Sequence, residues 1–300
     1  MEILKMVPAL KDYIWGGTKL VTKWGKKAEG KVAESWELST HRDGPSGIDG
    51  RPKVTLRDVV NAENMGSNCR GLDRFPVLIK LIDAEQKLSV QVHPADEYAL
   101  VREGDLGKTE MWYIADCEEG SGIYLGFSRD VSKEEVERAI ADGSIEGLLN
   151  FIPVKKGDSF LIEAGTIHTI CAGVTICEIQ QNSNVTYRVY DYNRVDKSGR
   201  KRKLHVEKAL DVLSFKKYLP RGRKEDNVLA SCKYFTVEER SFSGKEELFC
   251  GGSSFNAVSV LEGKGDIEGI SFRKGDTFFV PAGYGRYSLS GEGLFLLTRV

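Results

Sequence analysis

Residues 156–168 read KGDSFLIEAGTIH and residues 274–286 read KGDTFFVPAGYGR. The shared frame Lys-Gly-Asp-x-Phe-x-x-x-Ala-Gly recurs at an offset of 118 residues, so the chain carries one structural unit twice. Each copy places Gly-Asp before an alternating apolar run and Ala-Gly after it, the pattern of a turn, a strand and another turn. Short β-rich runs punctuated by glycine fill much of the rest, among them VTICEIQ (174–180), TYRVYDY (186–192), FNAVSVLEG (255–263) and GLFLLTRV (293–300). Strand and helix patterns do not alternate regularly, which argues for two antiparallel barrels or sandwiches. A chain of 300 residues has room for two such cores.

Two segments interrupt the β pattern. In DVSKEEVERAIADG, Ser132 and Glu135 form a capping box, Val136, Ala139 and Ile140 share a face, and Gly143 ends the helix. This predicts a helical insertion over about 128–150. In HVEKALDVLSF, Val206, Ala209, Leu210 and Leu213 make a second apolar stripe. The charged stretch LPRGRKEDN follows, placing the division between a first domain, 1–219, and a second, 220–300. The basic run GRKRK (199–203), with Asp191, Asp196 and Ser198 nearby, reads as a solvated loop.

A formal charge of -1 provides no field to gather nucleic acid or anionic lipid, so neither is an expected partner. The first residues, MEILKMVPALKDYIWGG, interrupt every apolar run with charge, and no run approaches a membrane span, which gives the expectation of a cytoplasmic protein. The six cysteines form no C-x-x-C pair and are expected to be reduced structural thiols rather than a Cys171–Cys177 disulfide or a zinc site.

The four histidines can be weighed singly. In LSVQVHP, strand alternation puts Gln91 and His93 on one face and Val90 and Val92 on the other. Glu110 precedes another strand-like run, and His168 follows a Gly165–Thr166 turn. Two imidazoles and a carboxylate, with Gln91 as an amide-oxygen ligand, suit zinc with one position open. The same set without Gln91 is a facial triad that also suits iron(II) or manganese, and spacing alone leaves both open.

GD-x-x-x-x-x-AGT-x-H resembles the second motif of cupin barrels, and Gln-x-His with a downstream Glu resembles the first. More specifically, IWGGTKL (14–20), ESWELSTH (34–41), LIKLIDA (78–84), LSVQVHPADEYA (88–99), GKTEMWYI (107–114), AGTIH (164–168) and EIQQNSNVTYRVYDYNR (178–194) resemble type I phosphomannose isomerase in its short bacterial form. The similarity runs in order over most of residues 8–215; beyond that it rests on the degenerate repeat. It implies a mainly β fold of two cupin (jelly-roll) barrels. The first would hold one zinc ion on Gln91, His93, Glu110 and His168, and the second would have lost its metal, because Arg286 stands where His168 stands.

The same resemblance implies interconversion of mannose 6-phosphate and fructose 6-phosphate through a cis-enediol(ate), by a monomer or homodimer. Lys108 would point into the sugar cleft, Arg188 corresponds to the family's catalytic arginine, and Glu178 is the candidate proton carrier. Trp15 and Trp36 are candidate sugar-stacking residues, His41 a pocket-wall residue, and His205 an exposed helix-opening residue. Two features depart from the pattern: Glu163 occupies the usual proline position before Ala-Gly, and there is no room for a guanylyltransferase domain. Three rivals share the ligand set. A glucose 6-phosphate isomerase of the cupin type would use one small barrel, a sugar sensor would not need Lys108 and Arg188, and an iron oxygenase would need the position Gln91 fills.

Overall fold

In the computed structural model, which describes residues 1–195, 199–220 and 227–300, the two repeated frames make the same turn. Gly157 and Gly275 both have φ 90°, a left-handed backbone that costs a side-chain-bearing residue about 1–2 kcal/mol. The next residue's carboxylate closes each turn: Asp158 Oδ2 accepts the Lys155 N–H and Asp276 Oδ2 the Arg273 N–H, both at 2.9 Å. Gly157 then donates to Ile114 O, and Gly275 to Val260 O, tying each turn to a neighbouring strand. The strands that follow are Ser159–Ile162 and Thr277–Val280. Both end in a second equivalent turn, Thr166 N–H to Glu163 O and Tyr284 N–H to Pro281 O.

Around the first copy, two antiparallel sheets form the expected barrel. One has the order Ser159–Ile162, Glu110–Cys117, Val174–Gln181, Val77–Ala84, Glu34–Leu38, Ala9–Lys11. The other runs Leu149–Pro153, Gly122–Phe127, His168–Ile170, Val90–Val92, Tyr187–Tyr190. The predicted helices are present as Lys133–Asp142 and Val206–Val212, and Ser132 caps the first by accepting the Glu135 N–H. Their apolar stripes pack with Val90, Val92 and Val189 of the second sheet. Because side chains alternate along a strand, burying Val90 and Val92 under the helices turns Gln91 and His93 into the barrel. That packing is what aims the site.

The second copy belongs to a larger sheet in the order Val228–Ser231, Thr236–Cys250, Gly285–Arg299, Asn256–Ile267, Thr277–Val280, Leu4–Val7, Gly47–Ile48, Arg51–Thr55. Sheet membership therefore does not follow the 219/220 division: Leu4 pairs with Phe279 and Lys5 with Phe278. A repeat shows which strands resemble each other, not which edge a separate four-residue strand will complete. Residues 221–226, where the division was expected, lie outside the described residues, as do Asp196 and Ser198. One core cluster joins the halves, with Leu4, Met6, Val77 and Cys177 packed among Phe235, Phe255, Phe279 and Leu296.

A buried ion pair pins the second Gly-Asp turn to the first half. Lys26 Nζ lies 2.6 Å from Glu37 Oε1 and donates to Gly275 O at 2.6 Å. Burial pushes the Glu37 carboxyl up, and Lys26 pulls it back. The second barrel's interior is filled by Val258, Phe272, Phe278, Tyr287, Leu289 and Phe295, and Arg286 is exposed. Cys69, Cys117, Cys171, Cys177 and Cys250 are free thiols, and no helix among the described residues is long and apolar enough to cross a membrane.

The two equivalent glycines differ in their neighbours. A Cβ on Gly275 would lie 2.7 Å from Trp24 O, whereas one on Gly157 would meet nothing closer than 3.9 Å. Gly157→Ala should lower unfolding free energy by about 1–2 kcal/mol, and Gly275→Ala by about 1–3 kcal/mol more, from the added clash. Urea unfolding of the two variants checks the order.

Candidate metal centre and adjoining cleft

His93 and His168 meet across neighbouring strands, with ring centroids 4.8 Å apart. Each ring is fixed from behind: His93 Nδ1 lies 2.8 Å from Val185 O and His168 Nδ1 2.9 Å from Thr166 O. A carbonyl can only accept, so each Nδ1 carries the proton and each Nε2 presents a lone pair inward. Both rings are buried, and burial, aided by Lys108, holds His93 well below its usual pKa. Burial pushes His168 down to about 4. Both are therefore neutral at neutral pH, as metal ligands must be.

Glu110 opens the strand Glu110–Cys117 and lies between them. Its Oε2 is 3.5 Å from His93 Nε2 and its Oε1 is 3.4 Å from His168 Nε2. Lys108 Nζ forms an ion pair with Oε2 at 2.7 Å, and Oε1 is buried without a hydrogen-bond partner. The three inward donors lie within 4.8 Å of one another. Neutral imidazoles, an unsatisfied carboxylate and backbone bonds behind each ring fit a divalent metal. Gln91 pairs with His168 across the sheet, its amide nitrogen 3.3 Å from His168 Nε2. A half-turn of the amide presents its oxygen to the same point.

Beside this centre lies a cleft of about 240 Å³, lined in part by Trp15, Lys80, Gln91, Lys108, Glu178 and Arg188. Lys108 Nζ is 3.1 Å from His93 Nε2 and 3.6 Å from Glu178 Oε1, so it bridges centre and cleft. Glu178 Oε2 accepts the Trp112 indole N–H at 2.9 Å, and its Oε1 is 3.3 Å from Lys80 Nζ. Burial alone would raise the Glu178 carboxyl, but Lys108 and Lys80 outweigh it and hold the group ionised, well below the ordinary range. Glu110 goes the other way: burial pushes it up to about 8 against the pull of Lys108. One ammonium serves two carboxylates, and the one better supplied with partners keeps the charge. Arg188 Nη1 donates to Lys203 O at 2.8 Å, while its Nε is buried with no acceptor.

Trp36 is not on the cleft wall. It is fully buried, its indole N–H donates to Glu34 Oε2 at 2.7 Å, and Lys80 Nζ lies 5.0 Å over its ring. It braces Glu34 and Lys80 from behind, a place that sequence could not distinguish from that of Trp15. His41 lines a different cavity. His205 is half-buried rather than exposed, because its Nδ1 accepts the Arg188 N–H at 3.2 Å. The basic run is not wholly solvated: Arg202 lines the cleft while its guanidinium bonds Asp191. Lys80 and Glu34, also in the lining, were missed. The signal was present, since LIKLIDA sets Lys80 between the apolar pairs Leu78–Ile79 and Leu81–Ile82, where an unpaired charge would not be tolerated.

A buried His–Glu–His centre inside a jelly-roll barrel, opening on a charged cleft, defines a cupin-type metal protein. The model of the phosphomannose isomerase type I catalytic domain matches residues 3–135, and that of the mannose-6-phosphate isomerase cupin domain matches residues 224–300. A probable mannose-6-phosphate isomerase of Bacillus subtilis, GmuF, is 39% identical, with 98% of each chain covered. The crystal structure of the Bacillus subtilis mannose 6-phosphate isomerase superposes with a TM-score of 0.89 at 33% identity, covering 100% of both chains. A holo, zinc-bound mannose 6-phosphate isomerase has the same fold, with a TM-score of 0.80 at 15% identity over 99% of both chains. The chain belongs to the type I phosphomannose isomerase family.

The raised Glu110 carboxyl fixes how pH acts on metal uptake. Burial favours the protonated form of the carboxyl, and an incoming cation must displace that proton, so metal affinity should rise as pH is raised through the neutral range. Titration calorimetry with zinc at pH 6.5 in buffers of different ionisation enthalpy should show net proton release on binding, and the same titration of Glu110→Gln should show less.

Proposed function

We propose that the chain interconverts D-mannose 6-phosphate and D-fructose 6-phosphate through a cis-enediol(ate), with one zinc ion on Gln91, His93, Glu110 and His168. The observation that carries the reading is the juxtaposition of the neutral His93–His168 pair and Glu110 with a cleft holding Lys108, Glu178 and Arg188. Zinc bound there would supply Lewis acidity toward the sugar's carbonyl or hydroxyl oxygens without redox chemistry.

The reaction moves one proton between C1 and C2 and develops negative charge on the attached oxygens. Lys108, a donor at the junction of centre and cleft, is placed to hydrogen-bond an oxygen as its charge grows. Glu178 is the ionised carboxylate of the cleft and is assigned the proton transfer. Held so far below neutral pH by Lys108 and Lys80, it is a weak base in the resting site. Sugar oxygens that engage those ammonium groups would loosen their hold and raise its basicity where the proton must move. Arg188, with an unused buried N–H, is assigned to grip an anionic oxygen of the substrate, and Trp15 to pack on the sugar ring.

The domain assignment accompanies this reading: the first half, about 1–219, is catalytic, and the second, about 220–300, supports it without binding metal. A coupled assay of mannose 6-phosphate conversion, before chelation, after it and after zinc is restored, tests the whole. Activity should disappear on chelation and return with zinc; turnover unaffected by complete metal removal would sink the proposal. His168→Ala should abolish metal content and activity together. Arg188→Ala should keep the metal but lower kcat/KM by roughly 10²–10³-fold, and normal turnover in it would remove Arg188 from the mechanism.

A further inference from the structure

A second cavity, of about 610 Å³, shares no lining residue with the cleft. A single chain segment serves both, with Gly104 and Asp105 lining the cavity and Lys108 the cleft. Three arginines, Arg42, Arg57 and Arg74, line it. Arg74 is committed, since its Nη1 donates to Asp105 Oδ1 at 2.7 Å. Burial alone would raise the Asp105 carboxyl, but His41, the Leu106 N–H and Arg74 together hold it below its ordinary value. That carboxylate is therefore neutralised where it stands.

Arg42 and Arg57 are different. Both are exposed, and neither has a carboxylate partner among the described residues. Beside them the lining turns apolar with Val60 and the 45% exposed Leu72, and Asp73 is its only other carboxylate among the described residues. Asn182, 3% exposed, also lines the cavity. Its Nδ2 donates to Thr40 Oγ1 and Phe75 O, both at 2.9 Å, while its Oδ1 is buried and accepts nothing.

Two uncommitted guanidiniums make a fork for an anion of more than one charge, and a phosphomonoester carries about -1.5 to -2 at pH 7. The apolar wall gives the rest of such a molecule a surface to cover, and the volume is more than twice that of the cleft. We propose that this cavity is a second ligand site, taking a small phosphomonoester whose phosphate lies between Arg42 and Arg57 and whose body covers Val60 and Leu72. The site does not depend on the isomerase reading, because it shares no residue with the metal centre or cleft.

The test uses the metal-loaded full chain and phenyl phosphate, with inorganic phosphate and phenol as controls, followed by titration calorimetry at constant ionic strength. Wild type should bind phenyl phosphate saturably and more tightly than either control. The pair Arg42→Gln/Arg57→Gln should weaken that binding by at least about tenfold, while Arg188→Gln, which alters only the cleft, should leave it in place. Both changed arginines are exposed, and the more conservative single change Arg57→Lys provides a second variant, expected to retain charge but lose the bidentate grip. Three results would overturn the site: no saturable binding up to about 10 mM, a range that already corresponds to millimolar affinity; binding unchanged in the double variant; or binding removed by Arg188→Gln alone. Because the readout is binding and not turnover, a failed isomerase assay would leave this result standing.

Discussion

Four charged side chains, Lys80, Lys108, Glu110 and Glu178, are buried at one point between the sheets, and the site depends on how they share their charge. A lone buried ion would be intolerable, whereas alternating ammonium and carboxylate groups can be held if each is close to a partner. The Lys80–Glu178 and Lys108–Glu110 contacts satisfy that condition. Lys80 also faces Glu34, so two ammonium groups are shared among three carboxylates, and burial favours protonation of Glu110 when no cation is bound. An arriving cation completes the balance. The centre is thus built for a positive ion by its own electrostatics as well as by its donor atoms.

The shell around this cluster is equally restrictive. Helices Lys133–Asp142 and Val206–Val212 cover the outer face of the strand Val90–Val92, which leaves Gln91 and His93 no direction but inward. Trp36 and Trp112 each donate an indole N–H to a carboxylate of the network, Glu34 and Glu178. Large aromatic groups here fix the position of charges rather than only filling space. Among the described residues, the second barrel has no such network. Its interior is apolar, and its repeated turn instead accepts Lys26 from the first half.

Much of this was legible in the sequence where a local rule applies. The repeated Gly-Asp and Ala-Gly turns announced themselves because only certain residues can adopt those backbone conformations. Strand period two placed Gln91 and His93 on one face. Sequence failed where position depends on distant packing. Trp15 and Trp36 look alike in the chain, yet one lines the cleft and the other stands behind it. Arg202 looked like part of a solvated basic run until Asp191 drew it to the cleft wall. Lys80 stands among apolar residues in its strand, and its place beside the cleft is set by Glu34 and Glu178 on the neighbouring strands, which local pattern does not bring together.

The short strand Leu4–Val7 has a consequence for how the molecule is made. Its partner, Thr277–Val280, leaves the ribosome about 270 residues after it. At about 5–20 residues per second, that edge stays open for roughly 15–55 s of synthesis. During that interval the apolar side chains of Leu4 and Met6 have no finished sheet to enter. The two barrels lock together only when Thr277–Val280 is in place, so the joining of the halves is timed by the second copy of the repeat.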